Sequence, residues 1–276
     1  MAGTLYVVAT PIGNLEDLTF RAARILREVP VVAAEDTRRS GQLLRHLNST
    51  AALVSVHAHN EAARTPGLLQ RLARGESVAL VSDAGTPGVS DPGARLVAAA
   101  AGAGIRVEPV PGPSAVMAAL SAAGVDGGWF TFAGFPPVMG KDRKEWLAKL
   151  VDARSSGPVV AFEAPHRIVQ TLVDIGHIVY DQIVVFRELT KLHESRYTGS
   201  PAELSTRIDP VAGEFTLVIP QRSAPDEARQ RPTDDEIVVM FGQMTDLTAR
   251  AAAREVARAT GLSANEVYAI VQRRRA

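Results

Sequence analysis

Short apolar runs alternate with stretches of helical periodicity through the first 112 residues. Val31–Ala34 and Val78–Val81 contain no polar side chain, which is typical of strands buried on both faces of a sheet. Residues 18–26 repeat their apolar positions at helical intervals. The same patterns predict strands at 4–9, 53–56 and 107–110 and helices near 40–47 and 94–103. Short strands joined by helices indicate an N-terminal α/β domain, residues 1–112, with a mostly parallel sheet.

Residues 113–222 predict a second, mixed α/β domain. Prolines and glycine punctuate residues 109–113, and Ser114 is the expected N-cap of a helix over 115–122. Beyond it, the pattern predicts two helices, near 141–151 and 167–175, and strands at 129–132, 159–162, 183–186, 196–198 and 215–219.

The C-terminal segment has helical periodicity only. A polar, proline-containing linker over 221–232 precedes a predicted three-helix extension, residues 233–276. Its last two helices flank Gly261, with Ser263 as the second N-cap, as in a helix-turn-helix. Arg250, Arg254 and Arg258 recur every four residues on one face. Two interpretations stay open: a nucleic-acid-binding face, or the solvated face of a packing or dimerising tail.

Composition excludes several classes of protein. The 276 residues include no cysteine, so disulfides and thiolate metal sites are excluded. His57 and His59 share a strand face, but no third ligand is near, and we expect no metal. The apolar runs are too short to cross a bilayer and no signal pattern begins the chain, so we predict a soluble, cytoplasmic protein without membrane contact. Thirty basic and thirty acidic side chains give no overall attraction to nucleic acid.

One loop occupies the usual ligand-binding position of an α/β protein. The sequence SDAGTPGVSDPG, residues 82–93, lies between the strand Val78–Val81 and the helix predicted at 94–103. Its spacing matches neither the dinucleotide-binding nor the nucleoside-triphosphate-binding glycine motif. The first turn, ATPIGN at 9–14, also lacks the phosphate-binding glycines. We therefore expect a ligand without a phosphate at its centre.

Five motifs together resemble one family. They are ATPIGN (9–14), EDTRRS (35–40), SDAGTPGVSDPG (82–93), PGPSAV (111–116) and FEAPHR (162–167). They resemble the tetrapyrrole-methylase-like family of S-adenosylmethionine-dependent enzymes, and within it the branch of rRNA cytidine-2′-O-methyltransferases. The resemblance implies a homodimer whose two α/β domains enclose the cofactor. It also implies methylation of a cytidine ribose in the decoding region of small-subunit (16S) rRNA, and the helical extension resembles one found in this branch.

The resemblance implies a set of cofactor-binding residues. S-adenosylmethionine carries a cationic sulfonium and no phosphate, so Asp83 is expected to balance its charge. Gly85 and Gly88 allow close approach of the backbone. The full predicted set is Pro11, Ser82, Asp83, Ala84, Gly85, Thr86, Val89, Ser114, Ala115, Phe162, Phe215 and Thr216.

Candidates for the acceptor side follow from charge and position. Methyl transfer is an in-line displacement that needs alignment and, at most, a base for the hydroxyl proton. The base candidates are Glu163, Lys191 and Glu194, each of which is otherwise a surface charge. The candidates for phosphate contacts with RNA are Arg38, Arg39, Arg167 and Arg187, together with Arg250, Arg254 and Arg258 of the extension.

Three alternatives stay open at this point. A family member could methylate a tetrapyrrole or another small acceptor, because cofactor loops do not select the substrate. The extension alone would also fit a non-enzymatic nucleic-acid-binding regulator. For the RNA enzyme, the substrate is either naked rRNA or the assembled small subunit.

Overall fold

A computed structural model describes residues 2–209, 213–222, 234–242, 244, 247–260 and 263–275. The chain forms two compact units, Met1–Arg222 and Ser223–Ala276. The larger unit contains two five-stranded sheets, one in each of the predicted α/β domains. The division of this unit into domains at residue 112 stays a prediction.

The first sheet is entirely parallel, with the strand order β3-β2-β4-β1-β5. Its strands are β1 Leu5–Val8, β2 Val31–Ala34, β3 Ala52–Ser55, β4 Val78–Val81 and β5 Val107–Val110. The helices that connect them are α1 Phe20–Glu28, α2 Thr37–His46, α3 Glu61–Ala73 and α4 Ala94–Gly102. The parallel α/β prediction is confirmed.

Helices cover both faces of this sheet. In β2, Val32 and Ala34 join the cluster formed with α1 and α2. Val31 and Ala33, which point to the opposite face, join the cluster formed with α3 and α4. Burial on both sides explains why β2 and β4 are apolar at every position rather than at alternate ones.

The second sheet is mixed, with the order β6-β7-β10-β8-β9. Only β6 and β7 are parallel, and the other three pairings are antiparallel. The strands are β6 Thr131–Phe132, β7 Val159–Glu163, β8 Ile183–Arg187, β9 Ser195–Gly199 and β10 Phe215–Ile219. Helix α5, Ala115–Ala123, packs on one face. The other face is covered by α6 Gly140–Ala153, α7 Ile168–Gly176 and α8 Pro201–Arg207.

Two helices differ from the prediction because of their N-caps. Helix α2 begins at Thr37 rather than near residue 40, because Asp36 accepts a hydrogen bond from the Arg38 N–H and caps it. Helix α8 was not predicted, although its capping box of Ser200 and Glu203 is visible in the sequence.

The strand predicted at 129–132 is shorter than expected. It begins at Thr131, because Trp129 leaves the sheet and is 69% exposed. The backbone there passes very close to Gly157, where an added Cβ would lie 2.0 Å from the Trp129 carbonyl oxygen. Only glycine allows the two segments to approach this closely.

The smaller unit contains the three predicted helices, α9 Asp234–Gly242, α10 Ala249–Thr260 and α11 Ala264–Arg275. Ile237, Val256 and Val267 form part of their common core. Ser263 caps α11 as predicted: its hydroxyl accepts from the Glu266 N–H at 3.2 Å. The predicted turn at Gly261 lies outside the described residues.

Among the described residues, no helix has both the length and the apolar character that crossing a bilayer requires.

We expect Gly157→Ala to lower the free energy of unfolding by about 1–3 kcal/mol or more, because the new methyl group overlaps the Trp129 carbonyl. Gly102→Ala is the matched control: its Cβ meets nothing within 4 Å and it adds a better helix former at the end of α4. Chemical denaturation of both variants measures the difference. Equal stabilities would contradict the close approach.

Candidate active site

Three of the predicted motifs meet at one edge of the first sheet. Strands β1 and β4 are neighbours, so the loops that follow them lie side by side. Thr10 and Gly85 exchange two backbone hydrogen bonds, of 2.9 and 3.0 Å. Gly85 has a φ of +77°, in the left-handed region that favours glycine. The Thr86 hydroxyl donates to the Pro113 carbonyl at 3.2 Å, which attaches the third loop.

A first cavity of ≈ 320 Å³ lies between these loops and the ends of β7 and β10. This volume is within the range of small-molecule sites. The predicted cofactor residues that line it are Asp83, Ala84, Gly85, Thr86, Val89, Ser114, Ala115, Phe162, Phe215 and Thr216. Sequence reasoning missed Ile12, Asp91, Phe135, Leu189 and Glu214, which also line it. Ile12 and Asp91 carried a signal, because they lie within the motifs at 9–14 and 82–93.

A second cavity of ≈ 300 Å³ adjoins the first. It lies between the loop that follows β1 and helix α2, and it is lined by Thr10, Pro11, Gly13, Leu15, Ser40, Gln42, Leu43 and Ser82. The predicted cofactor residues Pro11 and Ser82 are therefore on this cavity rather than on the first. Asp83 and Arg39 line both.

One wall of the first cavity is aromatic. The ring of Phe162 is 5.0 Å from that of Phe132 and 5.5 Å from that of Phe135, measured between centroids. Phe215 lies on the neighbouring strand and is almost fully buried. Such a wall suits a flat, apolar ring such as adenine.

The opposite wall is acidic. Burial, together with the nearby Glu35 carboxylate, raises the pKa of Asp91 to about 6. Burial and Asp83 also raise the pKa of Glu35. Arg39 is the nearby cation, 3.6 Å from Asp83. Crowded, partly buried carboxylates are stabilised by a further positive charge, so this wall favours a cationic ligand.

Glu163 lines the cavity, but its carboxylate is occupied by neighbours. Its side chain is fully buried and forms an ion pair with Arg167 at 2.6 Å. It also accepts hydrogen bonds from the Thr171 hydroxyl at 2.6 Å and the Ala164 N–H at 2.8 Å. These contacts favour a structural role, and action as a base stays a prediction.

Lys191 and Glu194 do not themselves line either cavity, and their role as bases stays a prediction. The stem of Lys191 packs against Gly13, which lines the second cavity. Lys191 Nζ contacts the carboxylates of Glu188 and Glu214 at 2.9 and 3.1 Å. Burial lowers the pKa of Lys191, but these two partners outweigh it and raise the pKa above its ordinary value. A lysine that holds its proton more firmly is a poor base. Glu194 is exposed and accepts from the Thr190 N–H at 2.6 Å.

The arginines predicted to contact RNA fall into two groups. Arg38 and Arg39 are 89% and 62% exposed. Arg167 is instead committed to Glu163 and to the Pro136 carbonyl, and Arg187 lies over the Phe215 ring at 6.0 Å. Both side chains are only partly exposed, and their contact with RNA stays a prediction. In the smaller unit, Arg250 and Arg254 are exposed. The side chain of Arg258 is not among those that the structure describes.

His57 and His59 form an edge-to-face ring pair with centroids 6.0 Å apart. Within the described ranges, no group of three or more histidine, cysteine or acidic side chains has the arrangement of a metal site.

Residues 4–205 match the family model described as Tetrapyrrole (Corrin/Porphyrin) Methylases. The chain belongs to the tetrapyrrole methylase family. Among members, it is 43% identical over 272 residues to the ribosomal RNA small subunit methyltransferase I of Xylella fastidiosa, covering 96% of this chain and 98% of that one. It is 41% identical over 275 residues to the protein of the same name from Synechocystis, covering 96% of each.

Two solved structures share the fold of this chain. A diphthine synthase has a TM-score of 0.64 at 13% identity, covering 79% of this chain and 90% of the other. Uroporphyrin-III C-methyl transferase from Thermus thermophilus, complexed with S-adenyl homocysteine, has a TM-score of 0.56 at 20% identity, covering 78% and 97%.

We expect Glu163→Ala to lower the free energy of unfolding by about 3–5 kcal/mol, because it leaves the Arg167 guanidinium without its partner in a largely buried site. Glu194→Ala is the control and should cost less than about 1 kcal/mol, because this carboxylate is exposed. Chemical denaturation measures both. A stable Glu163→Ala protein would show that the network is dispensable for folding.

Proposed function

We propose that this member of the tetrapyrrole methylase family transfers the methyl group of S-adenosylmethionine to a ribose 2′-oxygen of a cytidine in small-subunit (16S) rRNA. The observation that carries the proposal is the pair of adjoining cavities, one suited to the cofactor and the other open to an acceptor. The near-complete alignment with relatives named for small-subunit rRNA methylation supports the choice of acceptor.

The first cavity fits the cofactor in shape and charge. Phe162 and Phe135 offer an apolar surface for adenine, and Asp83 and Asp91 offer negative charge for the cationic portion. The exposed backbone of the loop around Gly85 allows close contact. When bound, S-adenosylmethionine supplies a methyl group activated by its sulfonium, so the protein's task is to align the acceptor and exclude water.

The acceptor side is basic and exposed. Arg38 and Arg39, at the start of α2, suit the phosphates next to the target nucleotide. The exposed Arg250 and Arg254 of α10 suit other phosphates of the RNA. We propose a cytoplasmic homodimer that acts on rRNA or on the assembled small subunit.

A small tetrapyrrole acceptor is the less favoured alternative. The uroporphyrin methyl transferase resembles this chain at 20% identity, which supports a common fold and carries no argument about substrate. A non-enzymatic regulator would leave the two cavities without a purpose.

The direct test supplies the protein with tritiated S-adenosylmethionine and three acceptors in parallel: small ribosomal subunits, naked small-subunit rRNA and a porphyrinogen. We expect label in the RNA of one or both ribosomal samples, in an alkali-resistant dinucleotide that marks a 2′-O-methyl group. Label in the porphyrinogen alone would contradict the proposal.

Cofactor affinity should depend on pH through Asp91. Its carboxyl, with a pKa of about 6, is neutral below that pH and negative above it, and a cation binds the negative form more tightly. We expect affinity to rise between about pH 5 and 7 and then level off. Calorimetry with S-adenosylmethionine measures it, and Asp91→Asn should flatten the rise. An identical pH profile in Asp91→Asn would exclude Asp91 as its cause.

The extension should contribute to RNA binding through counterion release. Replacing Arg250 and Arg254 by glutamine should lower the slope of log affinity against log salt by about 0.7–0.9 per lost phosphate contact. Arg274→Gln is the control, because Arg274 already pairs with Asp235 at 3.1 Å. Filter binding over a salt series measures the slope. A packing role would predict an unchanged slope with lower stability.

A further inference from the structure

The second cavity shares a wall with the cofactor cavity but is chemically different. Asp83 and Arg39 form the shared wall. The remaining lining comes from the loop after β1 and from α2, without any residue of the second sheet. Its volume of ≈ 300 Å³ is at the lower end of the range for small-molecule sites, the size expected for one nucleoside.

Two polar side chains on this cavity have unused hydrogen-bonding capacity. Ser40 is only 7% exposed, yet its hydroxyl makes no hydrogen bond to any described residue. Gln42, two residues further along α2, is exposed, and its amide has no hydrogen-bond partner in the described part of the chain. Both groups line the cavity and are free to hydrogen-bond to a ligand that enters it.

The other walls suit a flat ring. Pro11 and Leu15 come from the loop after β1, and Leu43 comes from α2. Leu15 is 49% exposed, so apolar surface is available to a base that leaves its stack. The exposed guanidinium groups of Arg38 and Arg39 stand at the start of the same helix, within reach of the phosphates on either side of such a nucleotide.

We propose that the second cavity binds the acceptor nucleoside, with Gln42 hydrogen-bonding to the edge of its base and Ser40 to the nucleoside at the closed end. The proposal rests on the proposed function, since it takes the acceptor to be a nucleotide of RNA. A glutamine amide presents one donor face and one acceptor face, which complements the amine and ring nitrogen of cytosine. Asp83 and Arg39 line both cavities, so the ribose would lie beside them, where its 2′-oxygen can reach the methyl group of the cofactor.

This placement accounts for the predicted cofactor residues that do not line the first cavity. Pro11 and Ser82 belong to the acceptor side, whereas the motifs at 9–14, 35–40 and 82–93 each contribute to both cavities.

The test compares Gln42→Ala, Gln42→Glu and Ser40→Ala with Gln70→Ala, a control glutamine that is exposed on α3 and lines neither cavity. Calorimetry with S-adenosylmethionine first establishes that each variant is folded and binds the cofactor. Methyl transfer is then measured on small subunits that carry either the natural cytidine or a uridine at the position that the unaltered protein methylates.

We expect unchanged cofactor affinity in all four variants. Gln42→Ala should lower kcat/KM on the cytidine substrate by about 5- to 100-fold, the range for a lost amide–base contact. Replacing the cytidine by uridine should lower kcat/KM less in Gln42→Ala than in the unaltered protein, because the variant has already lost the contact that discriminates the two bases. Gln42→Glu should retain part of the activity, and Gln70→Ala should retain all of it.

Two outcomes would overturn the inference. If Gln42→Ala and Ser40→Ala match Gln70→Ala on the cytidine substrate, the cavity does not hold the acceptor. If Gln42→Ala loses activity equally on cytidine and uridine, Gln42 does not contact the base. Failure of the proposed function is a separate result, in which the unaltered protein labels neither substrate.

Discussion

The parallel pairing of β1 between β4 and β5 is the constraint on which both cavities depend. Parallel strands end at the same edge of a sheet, so this order brings the loops at 9–14, 82–93 and 111–116 together. The two hydrogen bonds between Thr10 and Gly85 then fix the first two loops against each other. The remaining wall depends on the register of the second sheet, where Thr216 is paired with Phe162.

A buried polar network holds that aromatic wall in place. Arg143, 9% exposed, donates to the Thr171 hydroxyl at 2.9 Å, to the Pro137 carbonyl at 2.8 Å and to Asp174 at 2.6 Å. Thr171 in turn donates to Glu163. Burying these charges is tolerable only because each has partners. The segment that carries Phe135 is thereby attached to α6 and α7, and the FEAPHR motif both lines the first cavity and anchors its aromatic wall.

The sequence predicted much of the fold because the strongest signals are local. The strands predicted at Val31–Ala34 and Val78–Val81 have the same bounds in the structure, because burial on both faces leaves an uninterrupted apolar run in the sequence. The cofactor loops were also predicted from local signals, because each loop is one continuous sequence motif. Glu163 could not be assigned from sequence alone, because its environment depends on Thr171, eight residues away in the next helix. Phe135 and the division between two cavities depend on tertiary contacts and had no sequence signal.

The shared wall has a thermodynamic consequence for any pair of ligands. The Asp83 carboxylate and the Arg39 guanidinium lie 3.6 Å apart and face both cavities. A ligand in either cavity that draws on one of these charges changes the electrostatic field experienced in the other cavity. Linkage requires the effect to be reciprocal, so each ligand alters the affinity of the other by the same factor. The Asp83–Arg39 ion pair therefore couples the two binding events. A ligand in one cavity changes the affinity of the other cavity for its own ligand, and this coupling needs no change in the backbone.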